Sequence, residues 1–150
     1  LQTFRGLSHR FEFTRKIGNT EFINDSKSTN LHSMLAGLKG IDEKNPFILV
    51  LGGRPKQEDI SPMLFRLKSL NVYVYLLGEA IDAWSCALGE ILGSRLIIVE
   101  SLENAVEQGF AMAIKSDMKL FIFSPACSSF DKYKNFEERG DHFKSLINSL

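Results

Sequence analysis

Short apolar runs alternate along the chain with segments whose apolar residues recur at helical spacing. The runs at 47–51, 72–77, 95–99 and 120–123 have the length and composition of buried strands. Helical spacing covers approximately 31–40, 61–70, 81–92, 101–113 and 136–150. Such a β-α alternation predicts one α/β domain, with a mostly parallel sheet and helices on both faces.

The first part of the chain has a different pattern. From Phe11 the residues alternate in polarity, Gly18-Asn19 supplies a hairpin turn, and 20–24 returns as a second strand. The alternation places Phe11, Phe13 and Ile17 on one face. We therefore predict an antiparallel N-terminal hairpin at one edge of the sheet.

Three polar loops follow predicted strands, at 24–30, 52–56 and 124–136. Loops after parallel strands open on the same edge of a doubly wound sheet, so these three are expected to converge on a ligand. Gly52-Gly53 allows close backbone approach, and Lys56 supplies a mobile cation. From local chemistry alone, an ordinary surface turn with a solvated lysine is an equally open interpretation.

Helix caps are predicted beside these loops. Ser28 or Thr29 is placed to cap the helix that begins at Leu31, and an anion could share that N-terminus. Ser61 is predicted to cap the next helix with Pro62 at its first position, and Ser101 to cap a later one.

Composition narrows the class of protein. The 150 residues suit one domain, and 18 Lys plus Arg balance 18 Asp plus Glu, so the net charge favours neither nucleic acid nor an anionic membrane. No apolar run approaches the ~20 residues of a membrane span. Cys86 and Cys127 have no metal-ligand spacing, which indicates reduced thiols in a cytoplasmic protein and no metal held by this chain. Cys127 is expected to be buried and inert, and His142 to lie on the surface.

Taken together, the motifs resemble the C-terminal domain of the Mur ligases, specifically those that add D-glutamate in peptidoglycan synthesis. The resemblance rests on residues 4–12, on Asn-Asp-Ser-Lys-Ser-Thr-Asn at 24–30 and on Leu51-Gly52-Gly53 with Lys56. It rests most strongly on Ser-Pro-Ala-Cys-Ser-Ser-Phe-Asp at 124–131 with Asn-Phe-Glu-Glu-Arg-Gly at 135–140. In order, these cover essentially the whole chain.

The resemblance implies a three-domain ligase, of which 1–150 is the C-terminal, amino-acid-binding domain with a Rossmann-like or dihydrofolate-reductase-like fold. The N-terminal UDP-binding domain and the central ATPase domain would lie outside this chain, which begins at Leu1 and lacks a P-loop. In such enzymes ATP and Mg²⁺ phosphorylate the carboxylate of UDP-N-acetylmuramoyl-L-alanine, and the amine of D-glutamate attacks the acyl phosphate. The domain alone is then expected to be inactive, and the protein a monomer.

The resemblance also implies roles for individual residues. Thr29, Lys56, Ser129 and Phe136 match the D-glutamate contacts of the family, with Phe136 acting through its backbone N–H. Arg10, Asp25 and Lys27 match residues that face the nucleotide across the domain cleft. The chain departs from the family at Arg54, where many members carry an acidic residue after the glycines. The neighbouring Gln57-Glu58-Asp59 is a candidate substitute for that acid.

Three other interpretations remain open on sequence. The chain could be the equivalent domain of a Mur-family or folylpolyglutamate-type ligase that adds another amino acid. It could instead be a stand-alone anion- or nucleotide-binding module. A purely structural domain is a third possibility, disfavoured by the clustering of polar motifs on one predicted edge.

Overall fold

A six-stranded sheet covered by five helices forms the part of the chain that the computed structural model describes, residues 7–150. Phe4, Arg5 and Gly6 of the first motif lie outside the described residues. The strands are β1 (Glu12–Ile17), β2 (Thr20–Asn24), β3 (Phe47–Gly52), β4 (Val72–Leu77), β5 (Leu96–Ile98) and β6 (Leu120–Phe123). The helices are α1 (Leu31–Gly37), α2 (Ser61–Ser69), α3 (Ala80–Leu92), α4 (Leu102–Lys115) and α5 (Phe136–Asn148), with a 3₁₀ turn at Gly93–Arg95.

The strand order is β1-β2-β6-β3-β4-β5. The β1–β2 pair is antiparallel and every other neighbouring pair is parallel. The predicted α/β fold with an antiparallel hairpin at one edge is therefore confirmed. Because β6 lies between β2 and β3, the loops that follow these three strands come together at the carboxyl edge of the sheet.

A β-bulge changes the face of the last part of β1. Phe13 pairs with Ile23 but Arg15 pairs with Phe22, so Thr14 is an extra residue in β1. Ile17 consequently packs with the core on the opposite side from Phe13. The prediction that Ile17 shares a face with Phe11 and Phe13 is wrong, because one inserted residue reverses the alternation of every side chain after it.

Two apolar cores lie on the two faces of the sheet. The first contains Met34, Met63 and Trp84 from the three helices α1, α2 and α3. The second lies under α4 and α5 and contains stacked phenylalanines, with ring centroids 5.0 Å apart for Phe22–Phe121 and 4.9 Å for Phe123–Phe143. Within residues 7–150 no helix combines the length and the hydropathy needed to cross a membrane.

The cap of α1 is Asn30, not Ser28 or Thr29. The Asn30 side chain accepts a hydrogen bond from the Ser33 N–H at 2.8 Å. The predicted cap is wrong because Asn30, not Ser28 or Thr29, lies directly before Leu31, and Asn satisfies an N-terminal donor as well as Ser or Thr does. Ser28 is instead buried.

The predicted cap of α2, Ser61, is also wrong. Ser61 is the first helical residue, and Asp59 accepts a hydrogen bond from the Ser61 N–H at 3.0 Å. The carboxylate of Asp59 reaches the free donor from two residues upstream, so the hydroxyl of Ser61 is not needed. The prediction for α4 is confirmed, because Ser101 accepts from the Asn104 N–H at 3.1 Å.

Candidate functional site

The loops at 24–30 and 124–136 are joined by side-chain hydrogen bonds. The Ser124 hydroxyl donates to Asp25 Oδ2 at 2.7 Å, and the Ser26 hydroxyl donates to the Phe136 carbonyl at 2.8 Å. The parallel pairing of β2 with β6 brings these loops side by side at the sheet edge.

The glycine loop after β3 is joined to both of the others. The Gly52 N–H donates to the Pro125 carbonyl at 3.0 Å, and Arg54 exchanges two backbone hydrogen bonds with Ser128, each 3.0 Å. Glu58 Oε1 accepts from the Leu31 N–H at 3.3 Å, which ties this loop to the start of α1. The predicted convergence of the three loops is confirmed.

Close backbone approach explains both glycines of this loop. Gly52 has φ +139° and its Cα faces the Leu77 backbone, so that any Cβ would collide with the Leu77 carbonyl. Gly53 has φ +131°, and a Cβ there would lie 2.5 Å from the Ser128 carbonyl oxygen. These conformations and contacts are open only to glycine. The glycines pack the loops together rather than forming an open phosphate cradle.

Arg10, Asp25 and Lys27 are brought together by the fold. All three line a cavity of about 290 Å³, whose wall also includes His32 at the start of α1. Lys27 Nζ lies 4.5 Å from the centroid of the Phe136 ring, a cation–π distance. Two cations therefore face one cavity at the carboxyl edge of the sheet.

Within this group, Asp25 is held in place by hydrogen bonds to both of its carboxylate oxygens. Its Oδ1 accepts from the Phe11 N–H at 2.9 Å and its Oδ2 from Ser124, and the residue is buried. Burial raises the pKa of Asp25, and the hydrogen bonds from Ser124 and Phe11 and the charge of Arg10 oppose that rise. The carboxylate fixes the loop to β1 and β6.

The four residues predicted to contact D-glutamate lie on the three converging loops, in different environments. Ser129 is 2% exposed, Thr29 and Phe136 are half-buried and Lys56 is exposed. Within residues 7–150 no side-chain hydrogen bond joins any of the four to another. Phe136 lines a cavity of about 320 Å³ with Arg10 and Lys27. The fold thus brings Phe136 next to the Arg10–Lys27 pair.

Arg139 is a site residue that sequence reasoning missed. Its side chain is 3% exposed; Nε donates to the Ser26 hydroxyl at 3.0 Å and Nη2 to the Ser26 carbonyl at 2.8 Å. Burial lowers the pKa of Arg139 to about 10. The signal was available, because Arg139 lies at helical spacing between Phe136 and Phe143 on the apolar face of α5.

Two of the three histidines, His9 and His142, are more enclosed than their sequence context suggests. His9 is buried, with Nδ1 3.0 Å from Asn24 Nδ2, and it packs against Gly140, where a Cβ would overlap the imidazole. His142 was predicted to lie on the surface, but it is half-buried. Its Nδ1 is 2.6 Å from the Tyr133 hydroxyl and its Nε2 is 3.0 Å from Glu103. The surface prediction is wrong because the loop before α5 folds back over the helix.

Arg54, the position at which the chain departs from the family pattern, pairs with a glutamate at the start of α3. Arg54 forms a two-point ion pair with Glu79, at 3.0 Å from Nε to Oε2 and 3.2 Å from Nη2 to Oε1. Of the two acidic residues that follow the loop, Glu58 accepts from the Leu31 N–H at the start of α1, and Asp59 accepts from the Ser61 N–H at the start of α2.

Cys127 is buried and chemically quiet. Burial raises the pKa of its thiol to about 12, against the opposing charge of Arg139. A thiol with such a pKa is almost wholly protonated at neutral pH, so it is not a nucleophile. In the described part of the chain, no three His, Cys, Asp or Glu side chains are grouped as a metal site requires.

The comparisons with known proteins agree with this architecture. Residues 9–127 match the family described as Mur ligase, glutamate ligase domain. A protein of Leptospira interrogans serogroup Icterohaemorrhagiae serovar copenhageni, named UDP-N-acetylmuramoylalanine--D-glutamate ligase, is 45% identical over 167 residues, which cover 98% of this chain and 35% of that protein. Proteins of the same name from Gloeothece citriformis and Natranaerobius thermophilus are 40% and 41% identical. These alignments cover 100% of this chain and 33% and 32% of the relatives, respectively.

The fold and site define an α/β domain whose polar loops meet at the carboxyl edge of a mostly parallel sheet, the edge at which ligands bind in doubly wound folds. The chain belongs to the Mur ligase family, the ligases of peptidoglycan biosynthesis. It spans about one third of the length of the curated relatives that it matches.

Proposed function

We propose that this chain is the D-glutamate-binding C-terminal domain of the ATP-dependent ligase that joins D-glutamate to UDP-N-acetylmuramoyl-L-alanine. The UDP-binding and ATPase domains of that enzyme would lie outside these 150 residues. The observation that carries the proposal is the convergence of three polar loops from β2, β3 and β6 on one sheet edge, in a chain of this family. The names of the relatives, UDP-N-acetylmuramoylalanine--D-glutamate ligase, support D-glutamate as the amino acid.

Thr29, Lys56, Ser129 and Phe136 would hold the amino acid. A compact dicarboxylate needs a cation and several fixed donors to replace its lost hydration. Exposed Lys56 supplies a mobile cation, and the hydroxyls of Thr29 and Ser129 supply donors from the other two loops. The Phe136 N–H lies in the first turn of the 13-residue α5, where the helix dipole favours an anion.

Arg10 and Lys27 would face the nucleotide across the domain cleft. Their shared cavity gives the cleft two cations, while Asp25 keeps the loop that carries Lys27 in place. ATP with Mg²⁺, bound by the other domains, would supply the phosphoryl group that activates the acceptor carboxylate. This chain would contribute the orientation of the amine, the entropic part of catalysis. Because these 150 residues contain no P-loop, the chain alone is expected not to turn over.

A backbone-amide NMR titration of the 150-residue chain tests the amino-acid assignment. We expect D-glutamate to shift amides at the four proposed positions, and L-glutamate, L-lysine and meso-diaminopimelate to shift them far less. Lys56→Ala should weaken the response at least about tenfold, as expected for a lost charge-assisted contact. Lys68→Ala, on the exposed face of α2, is the matched control. Equal responses to D- and L-glutamate, or full binding by Lys56→Ala, would contradict the assignment.

A second assay tests whether the chain is active without the other two domains. The chain alone, given ATP, Mg²⁺, D-glutamate and UDP-N-acetylmuramoyl-L-alanine, is expected to release no phosphate and form no amide. Turnover by this chain would overturn the proposal that the activating domains lie elsewhere.

A further inference from the structure

A separate cavity of about 310 Å³ lies on the other face of the sheet, under the loop between β6 and α5. Its floor is the carboxyl ends of β3, β4 and β6, and its walls are the first turn of α4 and the middle of α5. None of the seven residues assigned above lines this cavity.

Arg139 provides a buried cation in the wall of this cavity. Its Nε and Nη2 are engaged by Ser26, but among the described residues Nη1 has no hydrogen-bond partner. No carboxylate of residues 7–150 lies within 4.0 Å of the guanidinium. A buried N–H of a charged group without an acceptor is costly, and the guanidinium fork is suited to a carboxylate.

Asp131 provides the opposite charge in the same cavity. The half-buried side chain lies against the turn after β4, where a Cβ on Gly78 would be 2.8 Å from Asp131 Oδ2. No cation of residues 7–150 lies within 4.0 Å of this carboxylate. Burial raises the pKa of Asp131, and the charge of Glu79 adds to the rise, while the hydrogen bond from its own backbone N–H and the charges of Arg139 and Lys132 oppose it.

The other ionisable groups in the wall are already engaged. Glu103 pairs with His142, whose other nitrogen meets the Tyr133 hydroxyl, and Lys132 Nζ is 3.4 Å from the Glu100 carbonyl. Arg139 and Asp131 are therefore the buried and half-buried charges of this wall that have no oppositely charged group within 4.0 Å among residues 7–150. The cavity lining also includes the apolar residues Leu77, Leu102 and Phe123.

We propose that this cavity binds a small α-amino acid with an apolar side chain. The carboxylate would accept from Arg139, the ammonium would donate to Asp131, and the side chain would pack on Leu77 and Leu102. A phosphate would satisfy Arg139 but be repelled by Asp131 and Glu103. D-glutamate would place its second carboxylate against the apolar wall, at a cost in desolvation. The site is thus distinct in ligand class from the proposed D-glutamate site.

An NMR titration of the chain with L- and D-leucine tests this proposal. We expect at least one enantiomer to give saturable shifts at residues 102–103 and 131–133. Three probes separate the contributions: 4-methylpentanoate lacks the ammonium, isopentylamine lacks the carboxylate, and inorganic phosphate carries only an anion. Each should bind at least about tenfold more weakly than leucine, since each loses one charge-assisted contact.

Asp131→Asn is the informative variant, because Arg139 also supports Ser26 and its replacement would disturb both sites. Asp131→Asn should weaken leucine at least about tenfold and leave 4-methylpentanoate unweakened, a split that a general loss of structure would not produce. Asp82→Asn, exposed in the first turn of α3, is the matched control and should bind leucine like the unaltered chain.

Three results would overturn the proposal: no saturable response to either leucine, phosphate binding in place of leucine, or full leucine binding by Asp131→Asn. D-glutamate should not shift residues 102–103, and if it did so as strongly as leucine the apolar class would be wrong. The D-glutamate response at residues 29, 56, 129 and 136 is scored separately, so either proposal can fail without the other.

Discussion

Arg139 donates to Ser26 twice, from Nε to the hydroxyl at 3.0 Å and from Nη2 to the carbonyl at 2.8 Å, across 113 residues of sequence. Ser26 makes a further contact with α5, because its hydroxyl donates to the Phe136 carbonyl. One guanidinium thereby fixes the loop after β2 to the first turn of α5. These two elements carry Lys27, Thr29 and the Phe136 N–H.

Arg139→Lys is expected to lower the free energy of unfolding by about 1–3 kcal/mol. An ammonium keeps the charge but cannot reproduce the two-point contact, so at least one Ser26 acceptor is left unsatisfied in a buried place. Urea denaturation followed by circular dichroism measures the change. Arg54→Lys is the matched control, because the Arg54–Glu79 pair is half-exposed and its loss should hardly move the midpoint. Equal midpoints for Arg139→Lys and the unaltered chain would refute this account.

Gly53→Ala is expected to destabilise the chain by about 1–3 kcal/mol or more. The new Cβ would lie 2.5 Å from the Ser128 carbonyl oxygen, at a φ of +131° that alanine rarely adopts. Thermal unfolding gives the comparison. Gly40→Ala, with nothing within 4 Å of its Cβ, should be neutral or slightly stabilising. If both variants melt together, the close approach of the two loops is not as described.

Asp25→Asn should change stability in a pH-dependent way with a defined sign. Burial raises the pKa of Asp25 above its ordinary value of 3.8, so the folded chain holds this proton to higher pH than the unfolded chain. The unaltered chain therefore loses stability as pH rises from 3.8 through the raised pKa. Relative to it, Asp25→Asn should gain stability over that window, which urea denaturation between pH 4 and pH 7 measures.

Asp59→Asn is the control, because the pKa of Asp59 is shifted in the opposite direction to that of Asp25. The hydrogen bond from the Ser61 N–H lowers the pKa of Asp59 below 3.8, so its contribution is present above 3.8 and lost as pH falls below that value. The difference between Asp59→Asn and the unaltered chain should stay constant from pH 4 to pH 7. If the unaltered chain instead gained stability relative to Asp25→Asn as pH rose from 4 to 7, the burial of the Asp25 charge would be contradicted.

The two thiols should differ sharply in reactivity. Exposed Cys86 is expected to react with a disulfide reagent in the native chain, whereas Cys127, buried and with its pKa raised to about 12, should react only on unfolding. Counting released thiolate spectrophotometrically, before and after adding denaturant, measures this. Cys86→Ser should leave no fast phase; a fast phase in that variant would mean that Cys127 is accessible.

Most of the fold was readable from sequence because its signals are local. The continuous apolar run at 47–51 indicated a strand covered on both faces, and Gly18-Asn19 indicated the hairpin turn. The bulge at Thr14 was not readable, because its pairing depends on the partner strand. The caps at Asn30 and Asp59 were missed by one or two residues, since several neighbouring side chains offer an equally good acceptor.

The sequence by itself determined the α/β class, the hairpin, the family and the three loops that meet at one edge. It did so because hydrophobic period, turn residues and motif order are properties of the chain alone. Only the tertiary structure decided that Arg139 is buried against Ser26, that His142 is enclosed by Tyr133, and that Arg139 and Asp131 share a second cavity. Those relationships depend on the order of the strands in the sheet and on desolvation, and both arise when distant segments pack together.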